Sequence, residues 1–151
     1  MNIKIELNNI NLATNIYNSE FLKEDLDKYI LNNCYRKFIN NKITLTIIGL
    51  KDSRNQEYIA NLIHNHYKNK LYIAKKEDKL DDYFKTILFI IGVIAILLSK
   101  QFNYFFNELF LIAGWVTIWE IIYDLLFVEI RRKRNTKIYK ALSLANIVFQ
   151  N

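Results

Sequence analysis

The sequence predicts an α+β membrane protein: a small cytosolic β-α-β unit, a long helix continuing into a two-helix transmembrane hairpin, and a C-terminal amphipathic helix. Three observations predict it. Two apolar runs, TILFIIGVIAILLS over residues 86–99 and LFLIAGWVTIWEIIYDLLFV over 109–128, stand close together in the second half. The first half carries the period-2 and period-3.6 apolar patterns of a folded domain. Charge is segregated: residues 1–85 hold 14 Lys/Arg against 11 Asp/Glu, residues 86–130 one base and four acids, residues 131–151 six bases and no acid. The formal +6 of the protein is therefore the charge of its last segment.

Residues 1–82 are read as the cytosolic domain. Ile3, Ile5 and Leu7 alternate with Asn2, Lys4 and Glu6, the period of a half-buried strand. Leu26, Ile30, Cys34 and Phe38 recur every four residues, a helical stripe. Asn18 or Ser19 can cap that helix, and Glu24, Asp25 and Asp27 suit the positive end of its dipole. Ile43, Leu45 and Ile47 alternate with Thr44 and Thr46 in a second strand ending near Gly49. Strand, helix, strand makes a parallel crossover unit. Two strands and one helix are too few to be stable alone, so the next helix is expected to cover them.

Asp52 or Ser53 can cap that next helix, in which Ile59, Leu62, Ile63, His66, Tyr67 and Ile73 keep helical spacing. Neither Gly nor Pro falls between Gly49 and Gly92. One helix is thus allowed from about residue 53, through the polar KKEDKLDD stretch, into the first span. At helical rise its polar part would be roughly 40 Å long, a rigid join able to pass movement to the membrane helix.

Residues 83–128 are read as the transmembrane hairpin, with spans at about 83–101 and 109–128. Aromatics flank the connection (Phe102, Tyr104, Phe105 and Phe106), and Lys85 can snorkel toward the interface. Bases cluster before the first span (Lys75, Lys76, Lys79, Lys85) and after the second (Arg131, Arg132, Lys133, Arg134), whereas the connection has Lys100 alone. The positive-inside rule then places both termini in the cytoplasm and the short connection outside. Residues 1–8 alternate instead of forming an apolar signal region. In the basic tail, residues 129–151, Ile138, Ala141, Leu142, Ala145, Val148 and Phe149 fall on one helical face, which can lie on anionic lipid or pack on the long helix.

Chemistry-bearing residues are few. Glu120 and Asp124 lie four apart on the second span, with Trp115 and Trp119 on an adjacent face. A carboxyl at mid-membrane depth costs about 2.5 kcal/mol or more unless protonated, paired or facing water. Glu120 and Asp124 with Trp115 and Trp119 are therefore read as an intramembrane polar face, lining either an oligomer contact or a pore. The plainer alternative has Glu120 bonded across the hairpin and Asp124 meeting the cluster Arg131, Arg132, Lys133 and Arg134. Either way the acids imply burial against protein, hence a homo-oligomer. Cys34 is the lone thiol, and His64 and His66 at i, i+2 point about 200° apart on a helix, so neither a metal site nor a disulfide is expected. Phosphate-cradle, dinucleotide and nucleophile-elbow motifs are absent, so no cofactor and no catalytic residue is assigned; Glu57 with His64 is the remaining acid–base pair. Topology explains the RRKR run at 131–134, so no nucleic-acid partner is called for.

The order of these features resembles an uncharacterised bacterial family of small two-transmembrane-helix proteins. Segments like SEFLKEDLDKYI (19–30) and IHNHYKNKLYIAKKEDKL (63–80) carry the resemblance, and GWVTIWEIIYDLLFVEIRRKR (114–134) carries it most specifically. Family members often have a proline after the mid-span polar residue and an aromatic pair before the arginines, where this chain has Ile121 and the Val128-Glu129 stretch. The resemblance implies architecture and lends no activity. Two functional classes follow, both in a bacterial inner membrane. One is a non-enzymatic protein whose cytosolic domain mediates assembly or sensing, with the hairpin as anchor or switch and the lipid bilayer, further copies and a protein as partners. The other is an oligomeric pore-forming or membrane-disrupting effector, of bacterial defence for example, with Glu120 and Asp124 lining the opening.

Overall fold

A computed structural model describes residues 1–7, 9–15, 21–36, 42–101 and 103–150. The expected cap at Asn18 or Ser19, and Phe38 and Phe102, lie outside the described residues. The chain forms two compact units. Unit 1 joins Met1–Ile73 to Asn135–Asn151, and unit 2 is Ala74–Arg134.

Unit 1 is built on a three-stranded parallel sheet in the order β1 (Asn2–Glu6), β2 (Thr44–Ile48), β3 (Asn146–Gln150). Helix α1 (Glu24–Arg36) connects β1 to β2. Between β2 and β3 come the start of α2 (Ser53–Ser99), all of unit 2, and the end of α4 (Glu129–Ser143). The second crossover of the sheet thus contains the apolar hairpin as an insert.

Register explains the faces. Ile3, Leu45 and Ile147 align, as do Ile5, Ile47 and Phe149, so one sheet face is wholly apolar. The other face carries Asn2, Thr44 and Asn146, then Lys4, Thr46 and Val148. Leu26, Ile30 and Cys34 of α1, Ile59, Ile63 and Tyr67 of α2, and Ile138 and Leu142 of α4 are buried in the same core cluster as Ile3, Ile5, Leu45 and Ile47. Gly49 closes β2 at φ 103°, a left-handed conformation that glycine adopts without strain. Asp52 Oδ1 then accepts the Arg54 N–H at 3.1 Å, capping α2 as its sequence position predicts.

The tail departs from the expected amphipathic helix. Helix ends at Ser143, and Val148 and Phe149 belong to β3. Helical spacing and strand alternation coincide over so short a stretch, and the β-branched and aromatic run Ile147, Val148, Phe149 prefers a sheet position. A two-stranded sheet needed a third strand, and the C-terminal segment supplies it. The segment read as one basic tail divides accordingly, since residues 129–134 fall in unit 2 and Asn135–Asn151 in unit 1.

Unit 2 contains the rest of α2, helix α3 (Tyr104–Tyr123), a π-helical turn at Asp124–Val128 and the start of α4. Its two helical stretches are long and apolar enough to cross a membrane, and only 11% and 6% of their most apolar windows are buried. Phe89, Ile91, Leu97, Ile112, Val116 and Phe127 are all at least half exposed. The two helices approach closely where both lack side chains: a Cβ on Gly114 would stand 2.5 Å from Ile96 Cγ1 and 2.9 Å from Gly92 O. Small residues that bring backbones together are the usual means of packing helices where no water drives association. Hydroxyls inside these helices turn back on their own backbone, as Thr117 does on Ala113 O at 2.8 Å and Ser99 on Ile96 O at 2.7 Å.

Candidate functional site

In unit 2 the ion pairs gather at one end of the hairpin, away from the connection. Lys85 Nζ lies 2.5 Å from Asp124 Oδ2 and 4.0 Å from Glu129 Oε2. Glu129 also pairs with Lys133 at 2.7 Å, and Arg132 pairs with Asp81. The π turn makes the double contact of Lys85 possible. In an α-helix, residues five apart are rotated about 140° from each other. Here the Glu129 N–H bonds to Asp124 O, five residues back, which stacks Glu129 near Asp124 on the side facing Lys85.

The expected partner of Asp124, the cluster Arg131, Arg132, Lys133 and Arg134, is not what it meets. Lys85 takes that place, and Arg132 and Lys133 serve Asp81 and Glu129. Lys85 does not snorkel away from the span; it is only 17% exposed and faces the second helix. Lys85 lies seven residues before Gly92 and Asp124 seven after Thr117, so the two contacts keep one antiparallel register.

Glu120 behaves differently from Asp124. It is exposed and forms no ion pair or hydrogen bond among the described residues. Trp115 and Trp119 are 50% and 62% exposed. Glu120 and Asp124 nevertheless line one open cleft of about 240 Å³ with Asp81, Phe84, Lys85, Leu88 and Ile121.

Unit 1 holds a polar bracket that the sequence reading missed. The Leu22 N–H donates to His66 Nδ1 at 3.3 Å, so Nδ1 carries no proton and Nε2–H donates to Asp27 Oδ1 at 3.3 Å. Lys70 donates to the other carboxylate oxygen. Burial pulls the Asp27 carboxyl up, but hydrogen bonds from His66 and Lys70 and the charge of Lys70 outweigh it and hold it below its ordinary range. Lys70 also stands 5.8 Å from the centre of the Tyr139 ring, which stacks on Tyr67. Burial, then the nearby Asp27 charge, raise the Tyr67 phenol. Burial alone pushes the Cys34 thiol up to about 11. The available signal was a polar residue on each of two facing apolar stripes: Asp27 beside Leu26 and Ile30, His66 beside Ile59 and Ile63.

His64 Nε2 lies 3.0 Å from Ala145 O, tying α2 to the turn before β3. No group of three or more His, Cys, Asp or Glu side chains among the described residues is placed to hold a metal ion. The features define a parallel three-stranded unit whose second crossover contains an apolar helical hairpin, in which Lys85 pairs with Asp124 while Glu120 has no ion pair among the described residues. No protein-family model, curated protein or solved structure matches the chain.

Proposed function

We propose that this chain is a non-enzymatic, two-span integral membrane protein of the bacterial cytoplasmic membrane, with unit 1 in the cytoplasm for assembly or sensing and the hairpin as anchor or switch. One observation carries the reading. The core of unit 1 combines Ile3, Leu45 and Ile63 from before the hairpin with Ile138 and Leu142 from after it. Both flanks must then share one side of any bilayer, so the intervening chain crosses an even number of times, and it has two helices fit to cross. The base-rich flanks favour the cytoplasmic side for both, and the resemblance of residues 114–134 to small bacterial two-span proteins agrees. Carbonate washing of membranes from expressing cells tests the reading: the chain stays in the pellet, and release into the wash contradicts it.

A specific observation favours a second reading. Glu120 is exposed on an apolar helix with no partner among the described residues, and an uncovered mid-span carboxylate costs about 2.5 kcal/mol or more. Further copies of the chain relieve that cost by covering Glu120, either as an oligomer contact or as the wall of a pore. Expression that depolarises cells, abolished by Glu120→Leu, identifies the pore; unchanged membrane potential leaves the anchored assembly.

A further inference from the structure

The geometry points to an anion-binding cleft in unit 1 that takes a phosphate ester carrying an aliphatic body. The cleft, about 650 Å³ and open to solvent, lies at the end of the sheet where β2 and β3 begin. Lys137, Lys140, Ala141 and Leu144 follow one another at i, i+3, i+4 and i+7, a second stripe of the α4 segment beside the one that buries Ile138 and Leu142. Lys42 and Ile43, entering β2, form the opposite wall. Among the described residues the three lysines form no ion pair and no acid lines the cleft.

Three unpaired ammonium groups around one concavity match a phosphate, which carries between one and two negative charges and several acceptor oxygens at neutral pH. Apart from Asn146, whose amide adds one polar group, the remaining wall is apolar: Ile43, Ala141, and Leu144 at 76% exposure. The volume falls in the range of small-molecule sites, about 300–1,000 Å³, and far exceeds one phosphate. With no aromatic ring among the described lining residues, the body that fills the remainder is aliphatic, not a stacked base. Such a ligand is either the headgroup and first acyl carbons of an acidic phospholipid or a free alkyl phosphate. The inference rests on unit 1 alone and holds whether or not the hairpin conducts ions.

Calorimetric titration of the full chain in non-ionic detergent tests it, with dihexanoyl phosphatidate, dihexanoyl phosphatidylcholine, hexyl phosphate and inorganic phosphate as probes. Phosphatidate or hexyl phosphate binds saturably at one per chain, and whichever is tighter identifies the source. Lys137→Gln with Lys140→Gln weakens that binding by about tenfold or more, the scale of lost charge-assisted hydrogen bonds. Leu144→Asn weakens hexyl phosphate but leaves inorganic phosphate unchanged. These residues are exposed, so the variants keep the fold. Equal binding of phosphatidate and phosphatidylcholine, indifference to the double lysine substitution, or hexyl phosphate no tighter than inorganic phosphate each overturns the proposal.

Discussion

Replacing Lys85 by Met is expected to damage the hairpin more than replacing Asp124 by Leu, although the two residues share one ion pair. Lys85 is the cation at Asp124; without it the carboxylate remains among Phe84, Leu88 and Ile121. Breaking a buried pair from one side costs about 3–5 kcal/mol, and for side chains 17% and 23% exposed the lower end of that range, about 3 kcal/mol, applies. Asp124→Leu leaves Lys85 another acid, Glu129, at 4.0 Å, and should cost about 1 kcal/mol. The double substitution removes both charges and should fall within about 1 kcal/mol of the parent, a strongly non-additive result. Both tryptophans of the chain, Trp115 and Trp119, lie in α3. Their fluorescence during unfolding by an added denaturing detergent therefore reports the hairpin. Equal losses for the two single variants, or a double variant as weak as their sum, would refute the pairing.

Other expectations concern both units. Asp27 has its carboxyl held below the ordinary range, so its contribution is fully present above the unfolded value of about 3.9 and is lost as pH falls through the folded value. Asp27→Asn should destabilise unit 1 by about 2–4 kcal/mol near neutrality and shrink its acid sensitivity, read from amide exchange in α1 and β2 against pH. Gly114→Leu drives a side chain into Ile96 and the Gly92 carbonyl and should cost about 1–3 kcal/mol or separate the helices, read from the same tryptophan signal. Cys34 is 1% exposed with its thiol pushed up to about 11, so it should ignore a thiol-reactive dye at pH 8 until denaturant is added.

Elements whose pattern was long or strict were legible in the sequence. The alternation Ile3, Ile5, Leu7 and Ile43, Leu45, Ile47 located β1 and β2, and the interval without Gly or Pro located α2. The third strand was not legible because Ile138, Ala141, Leu142, Ala145, Val148 and Phe149 satisfy a helical period across a boundary that only the needs of the sheet impose. At the hairpin, Glu120 and Asp124 were recognised as costly, yet adjacency in sequence favoured the arginine cluster over Lys85. Antiparallel packing, in the register that sets Gly92 beside Thr117, put Lys85 beside Asp124 and decided otherwise. The bracket of Asp27, His66 and Lys70 joins residues about forty positions apart, and local periodicity carries no record of such a pair.

Side-specific labelling tests the two-span reading most directly. Single cysteines placed at Asn103 in the connection, Lys68 in α2 and Leu144 after α4 are exposed positions, and Cys34 is buried. A membrane-impermeant maleimide added to intact spheroplasts of a bacterial host should label position 103 and spare 68 and 144 until the membrane is opened. Labelling of 68 and 144 on opposite sides, or of all three at once in sealed spheroplasts, would contradict a hairpin whose two flanks fold into one cytoplasmic core.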